Sequence, residues 1–226
     1  MTHFLEQLSI SGFLPRFVTG MAVNYEIAGL ALVMGLTIGL PLAQASLAGG
    51  WTRLLSGSLV SLMRAAPTFV VMFVLMNSIP RHATVLGVPV APSGFIAVAI
   101  SLAPYSASYV FDNSVEALKN LRRGSMVSAL LFLPNMMRAF FVLVMASSAG
   151  AAIGVTEAVA VILRETQQLP ALHDKLLLFG IGVVCFGVPM QGAFALVRLL
   201  HRRLNRIALS NQNGWAATTI KAAVAQ

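Results

Sequence analysis

Glu157 stands in the run Thr156-Glu157-Ala158-Val159-Ala160-Val161-Ile162, where everything after it is apolar. An acid at membrane depth is costly and faces protein or a water-filled passage. Lining a passage, it would favour a cationic solute such as arginine, lysine, histidine or ornithine. The plainer alternative is an acid at the outer interface, or one paired with Arg164 or Lys175. Ser147, Ser148 and Thr156 could add hydrogen bonds in the same region, although small residues more often serve close helix packing. A second charged group lies in Asp112–Pro134, DNSVEALKNLRRGSMVSALLFLP, the longest polar interruption of the chain. On a short helix Val115, Leu118, Leu121 and Met126 form an apolar stripe. Glu116, Ala117, Lys119, Arg122 and Arg123 surround it, and Gly124 lets the helix stop. That pattern suits a knob that enters a groove of another protein while its charges fix the register. It equally suits a solvated basic loop that only orients the chain.

Catalytic chemistry has no foothold. There is no Gly-x-x-x-x-Gly-Lys-Ser/Thr for ATP phosphates, no Ser/His/Asp arrangement and no His-Glu-x-x-His. His3, His82, His173 and His201 are scattered without ligand spacing, so no metal site is expected. Cys185 is the single cysteine and sits in an apolar run, where it packs. The chain is read as a non-enzyme that binds no cofactor of its own.

The elements that must hold these charges are set by lipid. The chain is 58% hydrophobic and 10% charged, with a mean hydropathy of +0.83. Soluble domains are nearer ~45–50% apolar and ~25% charged. No polar half could fold in water, so the expectation is one all-α integral membrane domain. A net charge of +8 then marks cytoplasmic loops and not nucleic-acid binding. A span needs ~20 apolar residues. Ile27–Ala48, Leu54–Ile79, a core at Phe95–Val110, about Arg138–Ala152, and Leu176–Leu200 give five. Residues 1–23 read as an interfacial lead-in, 24–206 as the transmembrane domain and 207–226 as a cytoplasmic tail. Val85–Pro92 reads as a short apolar loop, Gly150 and Gly154 as a break, and the part around Glu157 as a bent or half-inserted segment.

Five spans put the ends on opposite sides. With the N-terminus outside, eight basic residues fall on inner loops (Arg53, Lys119, Arg122, Arg123, Arg198, Arg202, Arg203, Arg206). Four fall on outer loops (Arg16, Arg81, Arg164, Lys175). The charge rule therefore puts the polar stretch and the C-terminus in the cytoplasm. Arg64 and Asp112 could pair near the inner face. No inverted internal repeat of the kind seen in secondary transporters is visible.

In this order the motifs resemble the membrane permease subunit of bacterial ABC importers of the polar amino acid uptake family. Arg64-Ala65-Ala66-Pro67 matches an Arg-x-x-Pro in that family's second span. Tyr105–Asp112, with Tyr109 and Asp112, matches a small-residue and tyrosine run leading to an acid. Leu133-Pro134 and Arg138 match the family's Leu-Pro and arginine on the far side of the cytoplasmic loop. Thr156–Ile162 looks like Thr-Ser-Leu-Val-Ser-Val-Ile, with Glu157 in place of serine. The resemblance covers about residues 27–206. It implies a type I importer permease fold in the bacterial inner membrane and a separate ATPase subunit that binds ATP. It also implies a soluble substrate-binding protein and a second permease across the path. In the family such residues as Arg64, Pro67, Tyr109, Asp112, Pro134 and Arg138 hold the bundle.

The departure lies between Tyr109 and Pro134. The family carries there a Glu-Ala-Ala motif, a glycine and a coupling helix that docks on the ATPase. This chain is about a dozen residues shorter, ~18 Å of helix. Either Glu116-Ala117-Leu118 is a worn Glu-Ala-Ala with Gly124 displaced, the placement favoured by the spacing to Pro134, or the motif is missing. Val115–Gly124 then carries the expected ATPase contact, and a heterodimer with a more typical permease is expected. A non-transporting membrane scaffold that kept the permease fold is the rival reading.

Overall fold

The computed structural model describes residues 12–79, 84–85, 88–89, 92–125 and 129–224, with side chains described through Arg203. Helix α1 spans Phe13–Ala48, 36 residues. Its buried residues are Phe13, Phe17, Gly20, Asn24, Ile27, Ala28, Ala31, Gly35, Gly39 and Ala43. Steps of three and four make that set one continuous stripe. The separate lead-in expected before residue 24 is therefore the first turns of α1 as far as it is described. Pro15 is the third residue of the helix, where its missing N–H has no intrahelical partner to lose. Residues 1–11 of the expected lead-in lie outside the described residues.

The expected second span is two helices, α2 (Gly50–Ala65) and α3 (Thr68–Ser78), bent by 83°. Pro67 donates no N–H and pushes Ala66 to φ −70°, ψ 113°. Beyond it, β1 (Thr84–Val85) and β2 (Val88–Pro89) form a two-residue antiparallel pair, Thr84 opposite Pro89 and Val85 opposite Val88. This pair occupies the expected short apolar loop.

Helix α4 spans Gly94–Arg122 and has Pro104 inside it. Sequence reading ended the span core near Val110 and set the polar stretch apart. In the structure Asp112–Arg122 continues the same helix without a break. Its end is a Schellman cap: Ser125 N–H donates to Asn120 O at 2.9 Å and Gly124 N–H to Leu121 O at 3.0 Å. Gly124 has φ +78° and open space around its missing Cβ. Gly124→Ala should therefore cost about 1 kcal/mol through backbone strain alone. The thermal midpoint of the purified chain reads this cost, and Gly124→Asn should lose less. An unchanged midpoint for both would show that the cap is not held.

Helix α5 covers Phe132–Ser147, followed by a 3-10 segment Ser148–Ile153 and a left-handed Gly154 (φ +85°). The break expected at Gly150 and Gly154 is thus present. The bent segment after it is a separate helix, α6 (Ala158–Gln168), and α7 runs Leu172–Val224. Helix α7 begins four residues before the expected span, with His173, Asp174 and Lys175 in its first turn, and runs on through the expected tail. Four described helices are long and apolar enough to cross a membrane, and the bent pair makes five if it is counted as one span.

The core sits where α1, α4 and α5 meet. Ile27, Ala28, Ala31, Val98, Ala99, Leu102, Leu143 and Val144 fill it, with Met72 from α3 and Met190 from α7. A second cluster joins the start of α1 to α6 and α7 through Phe13, Phe17, Ala158, Val161, Ile162, Leu169 and Leu178.

Candidate functional site

Two polar sites interrupt this apolar frame. The first is closed. Glu157 precedes α6 as its N-cap and is 0% exposed. Its Oε1 accepts from Ala160 N–H at 2.8 Å and its Oε2 from Val159 N–H at 2.9 Å. Asn24, from the middle of α1, also donates to Glu157 Oε2 at 3.1 Å and to Ser147 Oγ at 2.8 Å. The Asn24 Oδ1 accepts from Ala158 N–H at 3.2 Å. Ser147 donates to Val144 O at 2.8 Å. The first three amides of α6 are therefore all satisfied inside the bundle, and a carboxylate suits the positive end of the helix. Gly20 permits it: a Cβ there would stand 2.7 Å from Ala158 N and 2.8 Å from Glu157 C.

Of the four residues expected along a passage, Ser147 and Glu157 are enclosed in this conformation, Ser148 is half-buried and Thr156 is exposed. Neither Arg164 nor Lys175 pairs with Glu157; the nearest comparable pair on α6 is Arg16 Nη2 with Glu165 Oε2 at 3.3 Å. Asn24 was missed from sequence. It lies three residues before the expected start of the first span, and its partners lie more than a hundred residues away in the chain.

The second site is open. Arg64, in the last turn of α2, places Nη2 at 2.5 and 2.6 Å from the two carboxylate oxygens of Asp112 on α4. The pairing expected from sequence is present, and both side chains remain about half exposed (50% and 54%). The break between α2 and α3 leaves a cavity of about 340 Å³ beside the pair. Thr68, Tyr105, Ser108 and Tyr109 line it with Arg64 and Asp112. Tyr105 and Tyr109 lie one turn apart on α4, ring centroids 6.4 Å from each other. Ser108 donates to Tyr105 O at 2.8 Å.

The expected docking residues occupy the far end of α4. Val115, Ala117 and Leu118 are half-buried, whereas Glu116, Lys119, Leu121, Arg122, Arg123 and Gly124 are exposed. Met126 of the expected apolar stripe lies outside the described residues. Lys119 and Arg122 in the last turn suit the negative end of the helix. Asn113 ties this end to α5 by accepting from Asn135 Nδ2 at 2.7 Å, a link that sequence reading did not find. Pro134 is buried at the third position of α5, and Arg138 is exposed one turn on.

No family model matches the sequence, and no curated protein matches it at a significant level. A solved structure does match the fold. It is described as the crystal structure of an amino acid ABC transporter with histidines. The likeness has a TM-score of 0.66 at 18% identity and covers 87% of this chain and 97% of the other. The chain has the fold of an ABC transporter chain. Within that fold, the bent α2–α3 pair carries Arg64, which meets Asp112 of α4, and the buried Asn24–Glu157 network seats α6 on α1. Among the described residues no group of three histidines, cysteines or acids could hold a metal.

Proposed function

We propose that the chain is the transmembrane subunit of an ATP-driven importer of polar amino acids. The fold likeness over nearly the whole of an amino acid transporter chain carries this reading. The ordered motifs from Arg64 to Ile162 add to it. In this reading α2 and α3 form the second of five spans, the N-terminus lies outside and the C-terminus is cytoplasmic. The membrane is a bacterial inner membrane. A second permease subunit faces this one across the path, a separate ATPase binds ATP, and a soluble binding protein delivers the substrate. The passage runs past Ser148 and Thr156, while Glu157 shapes it by seating α6. A preference for cationic substrates, expected if Glu157 lines the passage, finds no open carboxylate in this conformation, where Glu157 is enclosed.

Val115–Gly124 is the contact offered to the ATPase, with Leu121 as the exposed apolar tip among Lys119, Arg122 and Arg123. Only residues 123–131 connect α4 to α5. That shortness favours a heterodimer whose other permease carries the full coupling helix. It is also the observation that favours the rival, a non-transporting scaffold with the permease fold. Affinity purification of a tagged copy separates them. Recovery of an ATPase and a second permease, with ATP-dependent amino acid uptake by the reconstituted complex, is the expected result. Recovery of partners without uptake would select the scaffold, and recovery of neither would remove both readings.

A further inference from the structure

We propose that α2 lies flat in the membrane surface at the Asp112 end of the bundle, with its apolar face in the lipid and Arg53 on the phosphate of an anionic phospholipid. Such a site requires only a chain that crosses a membrane, whatever that chain transports.

The direction of α2 follows from its neighbours. Gly35 of α1 meets Ser106 of α4 and Gly39 meets Val110, so the two helices run side by side in one direction along the bundle. Arg64 ends α2 beside Asp112 of α4. By Met72 the chain has moved into the core with Ile27, Ala31, Val98 and Leu102. Leu102 is about ten residues from Asp112 on α4, ~15 Å along the axis. Helix α3 therefore runs lengthwise through the bundle and reaches the 3-10 segment Ser148–Ile153 toward the other end. The bend of 83° between α3 and α2 then lays α2 across the bundle, in the plane of the bilayer. The crossing itself falls to α3. The extended backbone of Ala66, Pro67 and Ile79 at its ends lengthens its reach, ~3.3–3.6 Å for each such residue. The proposed five crossings remain.

The faces of α2 fit that position. Trp51 and Leu62 stand three turns apart on one face, with Leu55 and Leu59 between them, and all four are exposed (42–79%). Arg53 and Arg64 stand three turns apart on the opposite face. A basic face opposite one of tryptophan and leucine marks a helix that lies in the interface and not one that crosses lipid. Charge then names the lipid. The Arg53 guanidinium makes no hydrogen bond or ion pair among the described residues. Lys119, Arg122 and Arg123 are exposed on α4 at the same end of the bundle, beside the acid Glu116, while Asp112 is paired with Arg64. That excess of positive charge favours headgroups of net negative charge over zwitterionic ones. A guanidinium also fits a phosphate through two parallel N–H donors.

The test uses the full chain purified into nanodiscs whose lipids carry bromine at set depths along their chains. Trp215→Phe leaves Trp51 as the one tryptophan, and adding Trp51→Phe with Leu62→Trp moves it to the far end of the same face. A helix in the surface places the two indoles within about one turn of the same depth, ~5 Å, whereas a crossing helix separates them by ~16 Å. Leu59→Trp repeats the comparison over ~12 Å, which keeps it decisive where Leu62→Trp folds poorly. Equal depths are expected; a difference that grows with position along α2 would overturn the proposal, as would quenching by aqueous iodide with none by the brominated lipids. Quenching of Trp51 by brominated phosphatidylglycerol is then compared with brominated phosphatidylcholine at equal fraction. A preference of about fivefold for phosphatidylglycerol is expected, the effect of one surface cation. Arg53→Gln should remove it, and Arg164→Gln, which loses the same charge far from α2, should not. Equal quenching by the two lipids, or a preference that survives Arg53→Gln, would overturn the phosphate contact. Loss of the preference on adding soluble glycerol phosphate would assign Arg53 to a free anion and overturn the lipid contact.

Discussion

Asn24→Leu should loosen α6 from the bundle and lower the thermal midpoint of the purified chain well below that of surface variants. The side chain is fully buried and serves three partners at once. Leucine leaves Ala158 N–H without its acceptor, removes the Asn24 donor to Ser147 Oγ, and takes one of three donors from Glu157, whose Val159 and Ala160 bonds remain. The stranded amide costs about 1–3 kcal/mol and each of the two other lost bonds about 0.5–1.5 kcal/mol, so a loss on the order of 3–5 kcal/mol is expected. Asn24→Asp should be no better, because it keeps the acceptor for Ala158 but sets a second carboxylate against Glu157. Glu157→Ala strands the two buried amides of Val159 and Ala160 and should rank close behind. Glu157→Gln keeps one oxygen and should be mildest. Fluorescence-detected size exclusion after a heat ramp gives the ranking. A wild-type midpoint for Asn24→Leu would refute the enclosed network.

The same series decides what the acid does in transport. A carboxylate that selects charge would make Glu157→Gln weaken uptake of cationic amino acids more than neutral ones. A cap makes all uptake fall together, in step with stability. The structure favours the cap, because both oxygens of Glu157 already accept bonds from within the chain.

The contrast between these two readings marks how far sequence alone could go. That Glu157 was unusual is legible from one acid in an apolar run. Its task is not legible, because the task depends on Asn24, which only the packing of α1 on α6 brings near. The break at Pro67 and the Arg64–Asp112 pair were legible, since proline chemistry and the cost of lone charges act locally. The length of α4 was misjudged for a physical reason. Polarity beyond Val110 marks the end of the apolar core and not of the helix, because a helix leaving the membrane needs helix-forming residues and not apolar ones. Glu-Ala-Leu-Lys at 116–119 and Leu-Arg-Arg at 121–123 are such residues. The start of α1 lies before the expected span for the same reason, since the first turn of a helix tolerates Pro15 and exposed residues alike.

Gly35→Ala and Gly29→Ala should move stability in opposite directions, although they lie six residues apart on the same helix. A Cβ on Gly35 would collide with Ser106 Oγ and stand 2.7 Å from its Cβ and 2.9 Å from its backbone carbon. The last contact is backbone, so α1 and α4 must separate along their closest approach. Gly39 repeats the constraint, with Ala107 O at 2.6 Å and Val110 Cβ at 2.9 Å. Overpacking of this kind costs about 1–3 kcal/mol, and backbone contact puts Gly35→Ala toward the upper end. Gly29 has nothing within 4 Å of its missing Cβ, so alanine there should stabilise the helix by about 0.5–1 kcal/mol. Ser106→Gly combined with Gly35→Ala should recover part of the loss, since it removes the two side-chain clashes and leaves the backbone one. Ser106 Oγ is buried with no hydrogen-bond partner among the described residues, so its removal costs little polar bonding. Equal midpoints for Gly35→Ala and Gly29→Ala would refute the close α1–α4 contact. Gly29 then becomes a probe of assembly. If its alanine variant is stable alone but lowers recovery of the proposed second permease, the open face of α1 at Gly29 is where that subunit packs.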